Sequence, residues 1–409
     1  MVYKGIAHGN FVKAIGKGWN MKSRTIFYVL ITIIVVILAK KAFVASVQPE
    51  FRAVGVHAWL PGLLSKAELD DTIKWAVDSN MNVLVVQARR TGDAFYNSSI
   101  EPRSNEIKEE GFDPLGYAVE KGHANGLEVY AWFNVFRVWG SSKTPPYPNH
   151  VVNLHPEWIN KDFNGKTTAG EGCFLDPGIP EVREYTLKVL TEIVKEYDID
   201  GIMLDFIRYP GREWGYSDIA VARFNKQYNR TGKPDPKDPL WAKWRREQVT
   251  QMVRDIYRMV EKIKPHVKVC AATIPWGDCP SDFTKTDAYA TVFQDWRRWM
   301  QEGILDANMP MNYKDPANPR LQRMYLNWLD GMKRWSYGRH AYTENMIFKG
   351  NIEGAIQQIK QARAKGIGVF GFAFSQSPVR EALGKALREQ VYREKAPVPK
   401  MPWKKEKKS

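Results

Sequence analysis

The sequence predicts an α/β fold in which eight parallel strands close into a TIM barrel, a (β/α)8 arrangement. From residue 52 onward, eight short runs rich in β-branched and aromatic residues alternate with eight longer segments of helical periodicity. Such an alternation is typical of a parallel sheet covered by helices. An open, doubly wound sheet is the alternative, but no GxGxxG motif follows the first strand. A closed barrel is therefore predicted.

The individual elements follow from the apolar runs and their punctuation. The predicted strands lie at 53–59, 82–89, 128–135, 201–206, 268–274, 304–311, 340–345 and 368–375. The predicted helices lie at 66–80, 114–125, 180–197, 241–264, 291–302, 319–336, 351–365 and 379–392. Pro114 and Pro180 begin helices, and Asn125-Gly126 ends one. The barrel is thus placed at 50–392, and the Pro- and Lys-rich segment 393–409 predicts a disordered, solvated tail.

The composition of the 409-residue chain predicts a large folded domain. Hydrophobic residues make up 44% and aromatic residues 12%, which excludes disorder as the main state. A mean hydropathy of −0.44 excludes a multi-pass membrane protein. Three cysteines cannot form a disulfide framework. Because the chain has neither a CxxC motif nor a Cys/His cluster, we expect no metal and no other cofactor.

The positive charge is concentrated at the two ends of the chain. The formal net charge is +15, of which residues 1–41 carry +7 and residues 393–409 carry +5. The rest of the chain carries only +3, so its charge gives no support to nucleic-acid binding. Zinc-finger and RNA-binding motifs are also missing from the sequence. We expect no nucleic-acid partner.

The amino end predicts export from the cytoplasm. Residues 1–24 form a basic cytoplasmic segment, and residues 25–45 form either an uncleaved membrane anchor or a cleaved signal peptide. The uncharged stretch from Thr25 to Ala39 is short for a spanning helix, which needs about 20 residues. Basic residues are denser before this stretch than after it, so the amino end should stay in the cytoplasm. We expect a protein that is membrane-anchored with its barrel outside the cytoplasm, or secreted.

In a parallel barrel, the side chains at the carboxyl ends of the strands meet at one mouth. Alternation along the fourth strand places Met203 and Asp205 in the lumen, with Asp205 at the top. The same reasoning assigns a set of polar and aromatic residues to this mouth. The residues expected to bind substrate there are His57, Trp59, Gln87, Arg89, Trp132, Asn134, Arg208, Tyr209, Trp276, Asn312 and Tyr313.

A polar mouth walled by aromatic rings suits a carbohydrate, because sugar C–H faces pack on rings while the hydroxyls bind amides and carboxylates. Hydrolysis of a glycosidic bond requires two carboxyl groups. Asp205 is the first candidate, and Glu344 and Asp278 compete for the second role. Strand parity favours Glu344. The chain has no GxSxG, P-loop or HExxH motif that would indicate another chemistry.

An ordered series of motifs resembles the glycosyl hydrolase-like family 10. The series consists of TGDAFY at 91–96, EPRS at 101–104, AWFN at 131–134, HPEW at 155–158, LDPGIPEVRE at 175–184, DGIMLDFIRYP at 200–210 and Asp295-Trp296. The resemblance implies a bacterial envelope protein with a TIM barrel, glycosidic-bond hydrolysis, and a catalytic role for Asp205. Phe206 and Met311 stand where many relatives have a second acid and a Gln.

The sequence therefore predicts an exported or membrane-anchored glycoside hydrolase. Its expected substrate is a cell-envelope polysaccharide, with peptidoglycan glycan strands as a candidate. The alternative is an inert glycan-binding barrel that scaffolds envelope assembly. Such a barrel would keep the aromatic mouth but lack a second acid near Asp205.

Overall fold

Eight parallel strands close into a barrel in the computed structural model, which describes residues 47–141 and 143–407. The strands are β1 (Arg52–Val56), β2 (Val83–Arg89), β3 (Glu128–Asn134), β4 (Gly201–Asp205), β5 (Lys268–Thr273), β6 (Ala307–Pro310), β7 (His340–Asn345) and β8 (Gly368–Gly371). Each strand pairs with its sequence neighbours, and β1 pairs with β8 to close the ring. The predicted (β/α)8 barrel is confirmed, and the open sheet is excluded.

A helix follows each strand and covers the outside of the barrel. The helices are α1 (Lys66–Asp78), α2 (Pro114–Ala124), α3 (Pro180–Glu196), α4 (Pro239–Ile263), α5 (Trp296–Glu302), α6 (Pro319–Arg334), α7 (Ile352–Ala364) and α8 (Arg380–Ala386), which a π-turn at Leu387–Val391 extends. Four of them begin with a proline, whose missing N–H costs nothing in a first turn. Asp113, Asp238 and Asn318 cap three of these four by accepting from free amides.

Several short elements lie in the connections, where the sequence analysis expected only loops. The longest is a helix at Asp218–Tyr228, between β4 and α4. An antiparallel ribbon pairs Arg137–Trp139 with Cys173–Phe174 above the mouth of the barrel. The others are the helices Val151–Leu154 and Asp287–Ala290 and the 3-10 turns Pro156–Trp158, Phe283–Lys285 and Phe374–Gln376. Apart from the helix Asp218–Tyr228, these segments are too short to show a reliable periodicity in the sequence.

The lumen of the barrel is filled with side chains, as in other barrels of eight strands. Tyr130, Trp132 and Met203 lie in it, as strand parity predicted. The buried lumen cluster consists of Phe51, Ala53, Val83, Val85, Tyr130, Trp132, Met203, Cys270, Ala272, Ala307, Met309, Tyr342, Phe370 and Met401. Polar side chains lie at both ends of this apolar cluster, and those at the carboxyl ends of the strands form the site.

Residues 396–407, the carboxyl-terminal strap, cross the bottom of the barrel and pack against it. Met401 is 5% exposed and joins the lumen cluster. The indole of Trp403 donates to Oδ1 of the buried Asp306 at 2.7 Å, and the Lys404 ammonium donates to Glu261 at 2.5 Å. The expectation of a disordered tail is wrong for this segment. Its few apolar residues cover the open end of the lumen. The Pro- and Lys-rich composition of the segment gives no indication of this contact.

Replacing Trp403 by Ala should destabilise the barrel. The change removes an indole that packs against His340 and Arg339 and donates to Asp306. Because Trp403 is only partly buried, we expect a loss of about 2 kcal/mol, less than the roughly 3–5 kcal/mol of a fully buried Trp. Urea unfolding measures the loss. Lys400→Ala, at a side chain that is 88% exposed, is the control. Equal stability of the two variants would contradict the packing of the strap.

The predicted amino-terminal segments, 1–24 and 25–45, lie outside the described residues. Within the described part of the chain, no helix is long and apolar enough to cross a bilayer. The compact unit that contains the barrel begins at Pro49.

Candidate active site

Asp205 is the last residue of β4, and its side chain is buried at the top of the lumen. The next residue, Phe206, has a φ of +50°, in the left-handed region that bulky residues rarely adopt. This turn places the Phe206 amide on the carboxylate, where its N–H donates to Oδ1 at 2.7 Å. The Trp132 indole donates to Oδ2 at 3.1 Å. Each carboxylate oxygen therefore has a donor that holds it in place.

Glu344 lies near the end of β7 and is 2% exposed. The hydroxyl of Tyr313 donates to its Oε2 at 2.6 Å. The other oxygen, Oε1, is buried and has no hydrogen-bond partner among the described residues. A buried oxygen without a hydrogen-bond partner is unusual in a folded protein. This oxygen is therefore available to bind a ligand.

The two carboxyl groups have different environments, which shift their pKa values to different extents. Burial raises the pKa of Glu344 well above its usual range, the hydrogen bond from Tyr313 opposes this, and the charge of Asp205 adds to it. Burial also raises the pKa of Asp205, but the Phe206 amide, the Arg208 charge and the Trp132 N–H oppose the shift. Because Asp205 has more groups that favour its charged form, it ionises first. When the pair carries a single proton, we therefore place that proton on Glu344 and the negative charge on Asp205.

Glu344→Gln should stabilise the protein at neutral and alkaline pH. A carboxyl whose pKa is raised by folding contributes its full stability below the unfolded pKa, and this stability is lost as the pH rises through the folded pKa. Gln has the same shape and cannot ionise, so we expect a gain of about 0.5–2 kcal/mol at pH 8 that vanishes near pH 4. Thermal melts at both pH values measure it. The exposed Asp278→Asn is the control, and a gain that is independent of pH would contradict the burial argument.

His57 follows β1 and belongs to an aromatic wall on the other side of the mouth. Its ring stacks on Phe372 at 5.2 Å between centroids and lies 5.3 Å from Trp59. Burial lowers the pKa of His57 to about 4, and the Arg90 charge adds to this shift, so the imidazole is neutral at pH 7. Trp59 is 46% exposed and lies edge-on to Trp132. This wall offers exposed ring surface next to the buried carboxyl groups.

Two amides complete the polar layer between the strands. Asn134 accepts from the Trp132 indole at 3.1 Å and donates to the Arg90 carbonyl at 2.6 Å. Gln87 accepts from the Ala58 amide at 3.0 Å. Its Nε2 is buried without a partner among the described residues. Asn134 therefore orients Trp132, and Gln87 has a free donor.

Arg208 and Trp276 lie together at the rim of the mouth. The guanidinium of Arg208 is buried and lies 5.9 Å from the ring centroid of Trp276, which is 42% exposed. Its Nη2 donates to both carboxylate oxygens of Glu171, at 2.9 and 3.0 Å. The structure thus places a second exposed indole on the rim, near an arginine whose charge acts on Asp205.

Arg89 does not line the mouth, so the prediction that it binds substrate is wrong. A bulge in β2 shifts the register between Gln87 and Arg89, and Arg89 pairs with Phe133, which faces the helices. The side chain is fully buried and donates to Glu101 at 2.8 and 2.6 Å and to the carbonyls of Asn134 and Val135. Side chains alternate between the two faces only along an unbroken strand. The one extra residue at the bulge turns Arg89 to the opposite face.

Tyr209 is also corrected from a substrate-binding to a structural position, whereas substrate binding by Asn312 stays a prediction, because its buried Oδ1 has no partner among the described residues. Tyr209 is fully buried, and its hydroxyl donates to Asp176 at 3.4 Å. Asn312 is 1% exposed and donates to the Tyr325 carbonyl on α6 at 3.2 Å. Both residues come after the last residue of their strand, where the chain turns and alternation no longer predicts direction.

Asp278 lies on the exposed loop after β5. Its Oδ1 accepts from the Cys279 amide at 2.8 Å and from Asn327 of α6 at 2.9 Å. Of the two competing acids, only Glu344 is buried with Asp205 at the mouth of the barrel, whereas Asp278 is exposed.

Sequence reasoning missed four residues that shape the site. Phe372 stacks on His57, and Gln376 holds the His57 backbone through its N–H at 3.2 Å and its carbonyl at 2.8 Å. Arg137 and Glu171 stand beside Asp205 and Arg208. Alternation along the predicted strand 368–375 could have identified Phe372, which lies on the same side as Phe370, whereas the other three residues lie on connections with no periodic signal.

The described residues hold no group of three or more His, Cys, Asp or Glu side chains placed to bind a metal ion. All three cysteines are free thiols, and Cys270 is buried in the lumen.

The fold and a mouth lined with carboxyl, amide and indole groups define the class of a carbohydrate-acting barrel. The chain belongs to the family Glycosyl hydrolase-like 10, whose model matches residues 51–336. The resemblance found in the sequence motifs is thereby confirmed.

Two curated relatives carry the same class of name. The chain is 29% identical over 399 residues to "Glycosyl hydrolase YngK" of Bacillus subtilis (strain 168), covering 88% of this chain and 76% of the relative. It is 29% identical over 259 residues to "Glycosyl hydrolase DigH" of Escherichia coli (strain K12), covering 57% of this chain and 54% of that protein. The chain thus spans about half the length of the second relative.

Solved structures share the fold at low sequence identity. The glycoside hydrolase domain of PgaB (BpsB) from Bordetella bronchiseptica aligns with a TM-score of 0.59 and 13% identity, covering 83% of this chain and 99% of that domain. The catalytic domain of β-amylase from Paenibacillus polymyxa aligns with a TM-score of 0.57 and 14% identity, covering 86% and 100%. At such identities the likeness concerns the fold alone.

Proposed function

We propose that this protein hydrolyses O-glycosidic bonds of a polysaccharide outside the cytoplasm, with Asp205 and Glu344 as its catalytic carboxyl groups. The observation that carries the proposal is a pair of buried carboxyl groups at the ends of β4 and β7, in which Asp205 receives two N–H donors while one oxygen of Glu344 has no partner among the described residues. Glycoside hydrolysis requires such a pair, because one group must give a proton while the other acts as a base or nucleophile.

Glu344 is the proton donor in this proposal. Its protonated form is favoured by burial, and its Oε1 has no partner among the described residues. Tyr313 holds Oε2, which leaves Oε1 to carry the proton toward the glycosidic oxygen. Transfer of this proton lets the C–O bond break with a neutral alcohol as the leaving group.

Asp205 acts on the anomeric carbon. Its two hydrogen bonds and the Arg208 charge keep it ionised while Glu344 is protonated. The carboxylate then either attacks the anomeric carbon or removes a proton from an attacking water. The glycosidic oxygen gains the proton of Glu344 and the anomeric carbon gains the water oxygen, so the two products together contain one added water.

The rim supports a glycan as the ligand. Trp59 and Trp276 are 46% and 42% exposed, and rings of this size bind the C–H faces of sugars. Neutral His57 and the free Nε2 of Gln87 add hydrogen-bonding groups for hydroxyls. The export expected from residues 25–45 favours an envelope polysaccharide, and peptidoglycan glycan strands are our first candidate.

The test is the release of reducing ends. Full-length protein is incubated with purified envelope polysaccharides, including glycan strands with and without stem peptides, and new reducing ends are counted. We expect release from at least one of them by the wild-type protein, and release that is slower by about 100-fold or more by Asp205→Asn. Glycan binding without any release would favour the alternative, an inert barrel that scaffolds envelope assembly.

A further inference from the structure

Two arginines flank the residue that follows the proposed catalytic carboxylate. The guanidinium carbons of Arg137 and Arg208 lie 5.3 and 5.0 Å from the ring centroid of Phe206. The charge of Asp205 acts on Arg137, and the charge of Arg208 acts on Asp205. Two positive charges therefore lie around one carboxylate, which leaves one positive charge in excess.

Glu171 neutralises this excess in the structure. Its carboxylate accepts from Nη2 of Arg208 through both oxygens, at 2.9 and 3.0 Å, and its backbone carbonyl accepts from Nε of Arg137 at 2.6 Å. Glu171 lies in the tight turn between Ala169 and Gly172, and its side chain is 45% exposed. The Glu171 carboxylate is therefore solvated on one side, so it can leave Arg208 and enter water without being buried elsewhere.

The two arginines keep donors that Glu171 does not use. Nη1 of Arg137 and Nε of Arg208 are buried, and neither has a hydrogen-bond partner among the described residues. Buried N–H donors nearly always have partners in folded proteins. A carboxylate bound side-on to arginine engages Nε and one Nη together, whereas Glu171 engages only Nη2 of Arg208. Nε of Arg208 therefore remains available for a second hydrogen bond to a carboxylate.

We propose that Arg137 and Arg208 form an anion subsite beside Asp205 that binds a carboxylate carried by the glycan, and that Glu171 occupies this subsite until substrate displaces it. The inference rests on the proposed function and deepens it by naming a substrate class, a glycan with acidic sugars. A single substrate carboxylate would neutralise the one excess positive charge. It is also the same chemical group as the Glu171 carboxylate that it would replace.

Calorimetry with two matched ligands tests the subsite. The ligands are a peptide-free oligosaccharide of alternating N-acetylglucosamine and 3-O-lactyl-N-acetylglucosamine, and the same oligosaccharide with its carboxylates methyl-esterified. The full chain carries Glu344→Gln to prevent turnover. We expect the acid to bind about tenfold more tightly than the ester, as a charge-assisted pair implies.

Variants in this background separate the subsite from a structural role. Arg137→Gln and Arg208→Lys should each reduce the preference for the acid, since Lys keeps the charge but lacks the fork. Glu171→Gln should tighten binding of the acid a few-fold and leave the ester unchanged, because it removes a competitor. Glu157→Gln, at an exposed acid elsewhere in the same connection between β3 and α3, is the matched control with no expected change.

Equal affinity for acid and ester would overturn the subsite, as would a Glu171→Gln variant that changes the affinity for both ligands alike. Reducing-end release by the wild-type protein keeps the two proposals apart. Release together with equal affinities refutes the subsite alone. A clear preference for the acid without release refutes the glycosidase and leaves the subsite standing.

Discussion

Asp205→Asn is expected to lower the turnover of a cleavable glycan by about 10²- to 10⁴-fold, the range typical of a lost catalytic acid or base. The reason is the loss of the carboxylate whose charged form the Phe206 amide, the Arg208 charge and the Trp132 N–H favour. Glu344→Gln should cost a similar factor, because Gln cannot give a proton to the glycosidic oxygen. Reducing-end assays at saturating substrate measure both losses.

The pH profile distinguishes the two roles. Wild-type activity should fall at low pH, where Asp205 gains a proton, and at high pH, where Glu344 loses one. Residual activity of Glu344→Gln should lack the alkaline fall, and that of Asp205→Asn should lack the acidic one. Asp278→Asn is the control, because this exposed acid lies outside the pair of Asp205 and Glu344 and accepts a hydrogen bond from Asn327. A loss with Asp278→Asn as large as that with Asp205→Asn would show that the second acid is misassigned.

Arg89→Met is expected to destabilise the protein by about 3–5 kcal/mol, the usual effect of breaking a buried ion pair. The change leaves Glu101 charged in the interior, with only the Tyr185 hydroxyl, at 2.8 Å, as a remaining side-chain donor. Both side chains of the pair are fully buried. Denaturant unfolding measures the loss, and activity per folded molecule should change little because Arg89 does not reach the mouth.

Two further variants calibrate this result. Arg89→Met with Glu101→Leu should regain most of the stability, since replacing both partners removes the orphaned charge. Lys74→Met breaks an exposed pair with Asp78 and should leave the stability nearly unchanged. If Arg89→Met instead kept full stability and raised KM, Arg89 would be a substrate-binding residue after all.

The sequence was sufficient for the barrel because its signals are local. Each strand is a short apolar run, and prolines such as Pro114 and Pro180 begin helices at the predicted positions. Alternation along unbroken strands also placed Asp205 and Glu344 in the lumen, because side-chain direction there depends only on counting residues.

Tertiary structure decided whatever depends on a break in the strand or on distant partners. The bulge in β2 turned Arg89 away from the mouth, and the turns after β4 and β6 buried Tyr209 and Asn312. The strap found its place because the open lumen and Asp306 offered apolar surface and acceptors from residues far away in sequence. The sequence by itself determined the fold and the first carboxyl group. Only the packed chain decided which groups surround it, because their contacts join separate loops whose relative positions no local pattern encodes.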